Sequence, residues 1–188
     1  MKYKKLSWKT VQSEQVADCE VFSVCRNRSR WLIDGDGQTL QNFYVIHPTN
    51  WVNVIPIDEH GQVIMVEQFR HGIQGITLEI PGGMVDPEDE SSQHAAQREL
   101  LEETGYASDE WTYLGRNHPN PALQSNICDT YLARSARRIA EPRFDGNENI
   151  ALRLVAVDDI PELILSGTIT HALVVVAFHL LHLQSSGK

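Results

Sequence analysis

The chain has 188 residues, enough for one domain with a sizeable core. Its 41% hydrophobic and 22% charged residues are ordinary for a globular protein. A formal net charge of −9 argues against a nucleic-acid partner or an anionic membrane, both of which want a basic face. The longest apolar run, Ala172 to Phe178, is far too short to cross a bilayer. The basic start Met1-Lys2-Tyr3-Lys4-Lys5 leads into Ser7, Trp8 and Lys9 rather than an apolar stretch, so no secretory signal is expected. Cys19, Cys25 and Cys128 have neither zinc nor redox spacing, and reduced, buried thiols in the cytoplasm are the expectation.

In chain order, the first third reads as strands: Cys19 to Arg26, Arg30 to Ile33, a turn at Asp34-Gly35-Asp36-Gly37, and Thr39 to His47. Trp51 to Ile57 forms a strand, Asp58-Glu59-His60-Gly61 a turn, and Gln62 to Phe69 pairs back as a hairpin. Ile76 to Ile80 is a short strand running into Pro81-Gly82-Gly83. A helix follows, capped by Ser91 at its start and by Gly105 at the C′ position. Strands are expected at Trp111 to Leu114, Ile127 to Ala133 and Leu152 to Val157, then helices at Ile160 to Leu165 and Thr170 to Leu183. The last helix has a wide apolar face suited to docking on a sheet. The chain is therefore mixed α and β, dominated by strands, with no internal repeat or linker.

The helix carries the chemistry. Glu99, Glu102 and Glu103 fall at i, i+3 and i+4, within an arc of about 100°. Ala96 and Leu100 flank that arc and face a core, so the carboxylates occupy the edge of the buried face. Each like-charged i, i+4 pair costs the helix about 0.2–0.5 kcal/mol, and partial burial adds to it. A solvated acidic helix end is the bland alternative. Against it stand the unfavourable negative end of the helix dipole and a glycine turn with a further acidic cluster immediately upstream. A hard divalent cation, Mg²⁺ or Mn²⁺, would relieve the conflict through carboxylate and carbonyl oxygens. Arg98, one turn before Glu102, is placed to orient it.

Gly83 through Tyr106 resembles the signature of the Nudix hydrolases: Gly, five residues, Glu, seven residues, then Arg-Glu-apolar-any-Glu-Glu-any-Gly-apolar. Arg98, Glu99, Leu100, Glu102, Glu103, Gly105 and Tyr106 match every fixed position of its second half, and Glu90 stands at the expected gap before Arg98. Six residues rather than five separate Gly83 from Glu90, which reads as a one-residue insertion in the loop. Val66-Glu67-Gln68-Phe69-Arg70 and Leu78-Glu79-Ile80-Pro81-Gly82-Gly83 extend the likeness to the branch that hydrolyses ADP-ribose and nucleoside diphosphate sugars.

This resemblance implies an α+β fold, a mixed β-sheet sandwiched between α-helices, with an N-terminal antiparallel β-rich extension. The extension, residues 1–48, is expected to build a homodimer interface, and residues 49–188 to form the hydrolase domain. The resemblance also implies the residue roles. Gly82 (through its carbonyl), Glu99 and Glu103 are expected to hold the metal, with Glu102 close by in a catalytic role. Arg70 is expected to face the substrate phosphates. Among the substrate-side residues, Gln68 belongs to the Arg70 segment, Trp51 is a stacking candidate and Pro121 lies in a loop over the substrate. In the loop Glu141 to Ile150, Glu148 aligns best with an acidic residue that reaches the metals or the attacking water. His171, by contrast, reads as a capping or packing residue. The implied reaction is attack of water on one phosphorus, giving a nucleoside monophosphate and a sugar phosphate. The alternatives are a pyrophosphatase acting on nucleoside triphosphates or dinucleoside polyphosphates, and a non-catalytic nucleotide-sugar sensor.

Overall fold

The structure, a computed structural model, describes residues 7–32, 40–144 and 149–187. The chain divides into two compact units, residues 1–49 with 118–126, and residues 50–117 with 127–188.

The first unit is a three-stranded antiparallel sheet in the order β1 (Trp8–Asp18), β2 (Phe22–Trp31), β3 (Gln41–Pro48). Trp8 pairs with Trp31 in register, and their rings stack at 5.8 Å while Phe43 meets Trp8 edge-on at 5.0 Å. The segment 118–126 joins this unit through Ile46 N–H to the Leu123 carbonyl at 2.8 Å and Ser125 N–H to the Ile46 carbonyl at 3.1 Å. Strand β1 was not expected from the sequence. Its register shifts between Thr10 and Gln12 and again between Gln15 and Ala17, and nearly all of it is exposed. Two such irregularities remove the period-two alternation on which a strand is recognised.

The second unit is built on an eight-stranded mixed sheet. Its main path runs β11 (Ile150–Ala156), β5 (Gln62–Arg70), β4 (Trp51–Asp58), β10 (Cys128–Arg138), β8 (Tyr106–Ala107). The strands β6 (Gly75–Glu79), β7 (Gly82–Met84) and β9 (Glu110–Asn117) pair with β5, β4 and β10 respectively. Strand β4 is apolar on both faces because both are covered. Val52 and Val54 join Ala95, Ala96 and Leu100 of helix α1 (Ser92–Thr104), with Tyr131 and Ala133 of β10. Ile55 points the other way, into a core with Leu132, Met65 and Val174, Ala177, Phe178 and Leu181 of helix α3 (Ala172–Ser186). The short helix α2 (Ile160–Leu165) adds Ile160 to that second core. The sheet therefore lies between helices, the sandwich the resemblance implied.

Local chemistry sets the boundaries. Asp58 closes the β4–β5 turn by accepting from His60 N–H at 2.9 Å and Gln62 N–H at 2.8 Å, with Gly61 at φ 77°. Ser91 caps α1 by accepting from His94 N–H at 3.1 Å. Gly105 ends α1 at φ 74°, its N–H on the Leu101 carbonyl at 2.8 Å. A Cβ there would sit 2.1 Å from the Ala140 carbonyl oxygen, so glycine is needed twice over. All three cysteines are free, but only Cys128 is buried; Cys19 is exposed and Cys25 intermediate, contrary to the expectation of three buried thiols.

Candidate active site

Helix α1 presents its glutamates to the turn at β7. The Glu103 side chain lies in a residue only 3% exposed and accepts from Gly82 N–H at 3.0 Å. Gly83 lies against Glu99: a Cβ on it would stand 2.5 Å from Oε1. A Cβ on Gly82 would stand 2.2 Å from the Val52 carbonyl oxygen. Two consecutive residues without side chains are what let this turn approach β4 on one side and the α1 carboxylates on the other. The glutamates are graded in exposure, with Glu103 buried, the Glu99 side chain 13% exposed and that of Glu102 44% exposed.

Arg98 organises the same face. Its Nη1 donates to Glu99 Oε1 at 2.9 Å and to Glu102 Oε2 at 3.0 Å. Its Nη2 donates to the Met84 carbonyl at 2.9 Å and to Asp89 Oδ2 at 3.0 Å, and Nε reaches Asp89 Oδ1 at 3.3 Å. Burial alone would lower the Arg98 pKa, but the hydrogen bond with Asp89 and the charges of Glu99 and Glu102 raise it. The acidic partners upstream of the helix are thus Asp89, whose side chain is 3% exposed, and the half-exposed Asp86 with Oδ2 at 3.4 Å from Nη2, while Glu90 is exposed. Arg98 holds the Asp89 carboxyl below its ordinary pKa against the opposing effect of burial, helped by Asp86 N–H at 2.9 Å and by His94. Glu90 stands at the motif's seven-residue gap before Arg98, but the carboxylate in the loop that Arg98 holds by hydrogen bonds is Asp89.

A cavity of about 630 Å³ collects these groups, with Trp51, Gln68, Arg70, Gly82, Arg98, Glu99, Glu102 and Glu103 on its wall. Arg70 stands there in a fork on Glu79, Nε to Oε1 at 2.8 Å and Nη2 to Oε2 at 2.7 Å. Thr77 Oγ1 donates to Glu79 Oε1 at 2.5 Å. Burial would push the Glu79 carboxyl up, but the bonds from Arg70 and Thr77, with a smaller effect of His171, bring it below its ordinary value. Asn53 and His171 also line the cavity, and Asn53 Nδ2 and His171 Nδ1 are buried without a hydrogen-bond partner. His171 is the N-cap residue of α3, yet its side chain makes no capping bond. Pro121 lies in the segment 118–126 of the first unit. Glu148, with Asp145, lies outside the described residues.

Glu79, Thr77, Asp86, Asp89, Asn53 and Arg143 were not singled out by sequence, and all but Asp89 line the cavity. The donors gathered at α1 are carboxylate oxygens beside a peptide turn, the set a hard divalent cation prefers. Among the described residues no three His, Cys, Asp or Glu side chains already converge closely enough to hold an ion. Nη1 of Arg98 bridges Glu99 and Glu102, so a cation taking these oxygens would compete with it. The residues fit the ion by chemistry.

The family model described as NUDIX domain matches residues 47–176. The chain is 28% identical to an ADP-ribose pyrophosphatase of Bacillus subtilis (strain 168), covering 97% of each chain. It is 30% identical to a methanol dehydrogenase activator of Bacillus methanolicus, over 81% of this chain and 82% of that one. A crystal structure of an ADP compounds hydrolase superposes with a TM-score of 0.82 at 22% identity, covering 96% of both chains, and shares the fold. The chain belongs to the NUDIX domain family, whose hydrolases generally need divalent metal ions.

Proposed function

We propose that this chain is a metal-dependent hydrolase that cleaves the diphosphate linkage of nucleoside diphosphate sugars, ADP-ribose among them, to a nucleoside monophosphate and a sugar phosphate. The observation that carries the reading is the buried Glu103 carboxylate on Gly82 N–H, beside Glu99 and Glu102, in a cavity also lined by Arg70. The similarity to an ADP-ribose pyrophosphatase along nearly the whole chain supports the substrate class.

Glu99, Glu103 and the Gly82 carbonyl would hold Mg²⁺, with Mn²⁺ as a substitute. The ion would supply charge neutralisation of the diphosphate, a lower pKa for the attacking water and alignment for in-line displacement. Arg98 fixes the rotamers of Glu99 and Glu102 and keeps like charges together on one helix face. Glu79 pre-orients Arg70, whose guanidinium serves the non-bridging phosphate oxygens in a planar manner that lysine does not copy. Trp51 stacks on the base and Gln68 contributes a polar contact from the same wall. Pro121, Glu102 and Glu148 keep the roles the family resemblance gives them: a substrate loop, a catalytic carboxylate, and a metal-side carboxylate that takes the proton from water. We assign the N-terminal sheet to a homodimer interface, and the enzyme to the cytoplasm.

The test is turnover with Mg²⁺ on a panel of ADP-ribose, UDP- and GDP-sugars and nucleoside triphosphates, with products resolved by chromatography. Cleavage of the diphosphate sugars with chelator-sensitive activity is expected. Preference for triphosphates, or binding of nucleotide sugars without turnover, overturns the proposal.

A further inference from the structure

Among the described residues five carboxylates line the cavity, Glu79, Asp86, Glu99, Glu102 and Glu103, and a diphosphate must approach this acidic wall. The arginines nearest to hand are heavily engaged. Arg98 is spread over Asp89, Glu99, Glu102 and the Met84 carbonyl, and Arg70 is forked on Glu79. Arg143 is different. It lines the same cavity, yet among the described residues its guanidinium has no ion pair.

Its backbone is nevertheless fixed. Arg143 N–H donates to the Glu102 carbonyl at 2.8 Å, and Ile139 and Ala140 N–H both donate to the Gly105 carbonyl, at 2.9 and 3.1 Å. The close approach of the Ala140 carbonyl to Gly105 completes the staple. The residue is therefore anchored to the last turn of α1, the turn that carries Glu102 and Glu103, and that turn contains no basic residue of its own. A cation attached there, on the cavity wall and without a carboxylate partner among the described residues, suits an anion arriving beside the glutamates.

We propose that Arg143 is a phosphate-binding residue of this site, taking non-bridging oxygens of the substrate diphosphate independently of Arg70. The inference rests on the reading of the cavity as a diphosphate site. The rival role is purely electrostatic, a positive charge offsetting the negative end of α1. That role predicts a small loss of stability on substitution and no change in binding.

Two measurements separate them. Steady-state kinetics with ADP-ribose and Mg²⁺ on Arg143→Gln should show KM raised by about ten- to a hundredfold with a smaller change in kcat, the range of one charge-assisted contact. Calorimetric titration with inorganic pyrophosphate and Mg²⁺ should show a comparable loss of affinity, with a melting temperature close to that of the wild type. Arg143→Lys should recover part of both, because a point charge replaces a planar fork; it also carries the test if the glutamine variant does not fold. Wild-type KM and pyrophosphate affinity in the substituted protein overturn the proposal. A wild-type protein that ignores ADP-ribose but binds pyrophosphate through Arg143 overturns the substrate assignment and supports the residue's role.

Discussion

Replacing Arg98 with leucine tests how the acidic face is held together. The Asp89 side chain, 3% exposed, would lose its two hydrogen bonds from Arg98, at 3.3 and 3.0 Å, and keep those with Asp86 N–H and His94. Breaking a buried ion pair from one side costs about 3–5 kcal/mol. Arg98 is 24% exposed and Asp89 keeps two partners, so about 2–3 kcal/mol is the reasonable loss. At about 2–4 °C per kcal/mol for a chain of this size, the melting temperature should fall by about 4–12 °C in chelator. Mg²⁺ should then return more stability to the variant than to the wild type, because the ion no longer competes with Nη1 for Glu99 and Glu102. Asp89→Asn should cost about 1–2 kcal/mol, and Glu90→Gln should stay within about 0.5 kcal/mol as an ordinary surface change. Calorimetric melts of the three variants, with and without Mg²⁺, decide it. A Glu90→Gln loss as large as that of Asp89→Asn would refute the assignment of the partner.

Glu103→Gln should keep the fold and the bond from Gly82 N–H while lowering kcat by several orders of magnitude; near-normal turnover sinks the metal assignment. Trp51→Ala should raise KM for ADP-ribose with little change in kcat, and an unchanged KM returns Trp51 to packing alone. Glu79, Asp89 and Asp129 all have carboxyls held below their ordinary pKa against the opposing effect of burial. Their stabilisation is thus fully present above the unfolded values near about pH 4 and is lost as pH falls through the lower folded values. Urea unfolding below about pH 4 should show this acid limb flattened in Asp129→Asn, which loses its pair with Arg116; an unchanged limb removes Asp129 from the account. Sedimentation at micromolar concentration should give a homodimer, and a monomer would count against the interface assigned to the N-terminal sheet.

How much of this was written in the chain differs from element to element, for physical reasons. Helix α1 was legible to the residue because both of its ends are determined locally, by the Ser91 hydroxyl and by the left-handed Gly105. Strand β4 was legible because a run apolar on both faces belongs inside a covered sheet. Strand β1 was not, since its two register shifts scramble the alternation and its residues do not seek a core. Asp89 was hidden for another reason: its partner is set by how the chain folds back before Ser91, and no periodicity extends through that loop.

The polar wall at Arg70 lies between these cases. Strands β5 and β6 pair with Gln68 opposite Thr77, Arg70 opposite Gly75 and Glu79 opposite Val66. Parity then puts Gln68, Arg70, Thr77 and Glu79 on one face of the hairpin, and all four line the cavity. Phe69 and Ile76 take the other face and are exposed. The hairpin thus reverses the usual arrangement at its turn end, aiming polar groups inward and apolar ones outward. A buried carboxylate between Leu78 and Ile80 would be destabilising without a cation within reach. Once Arg70 is placed on the same face, Glu79 becomes the residue that holds it, and the position of Arg70 in the cavity follows from strand parity alone.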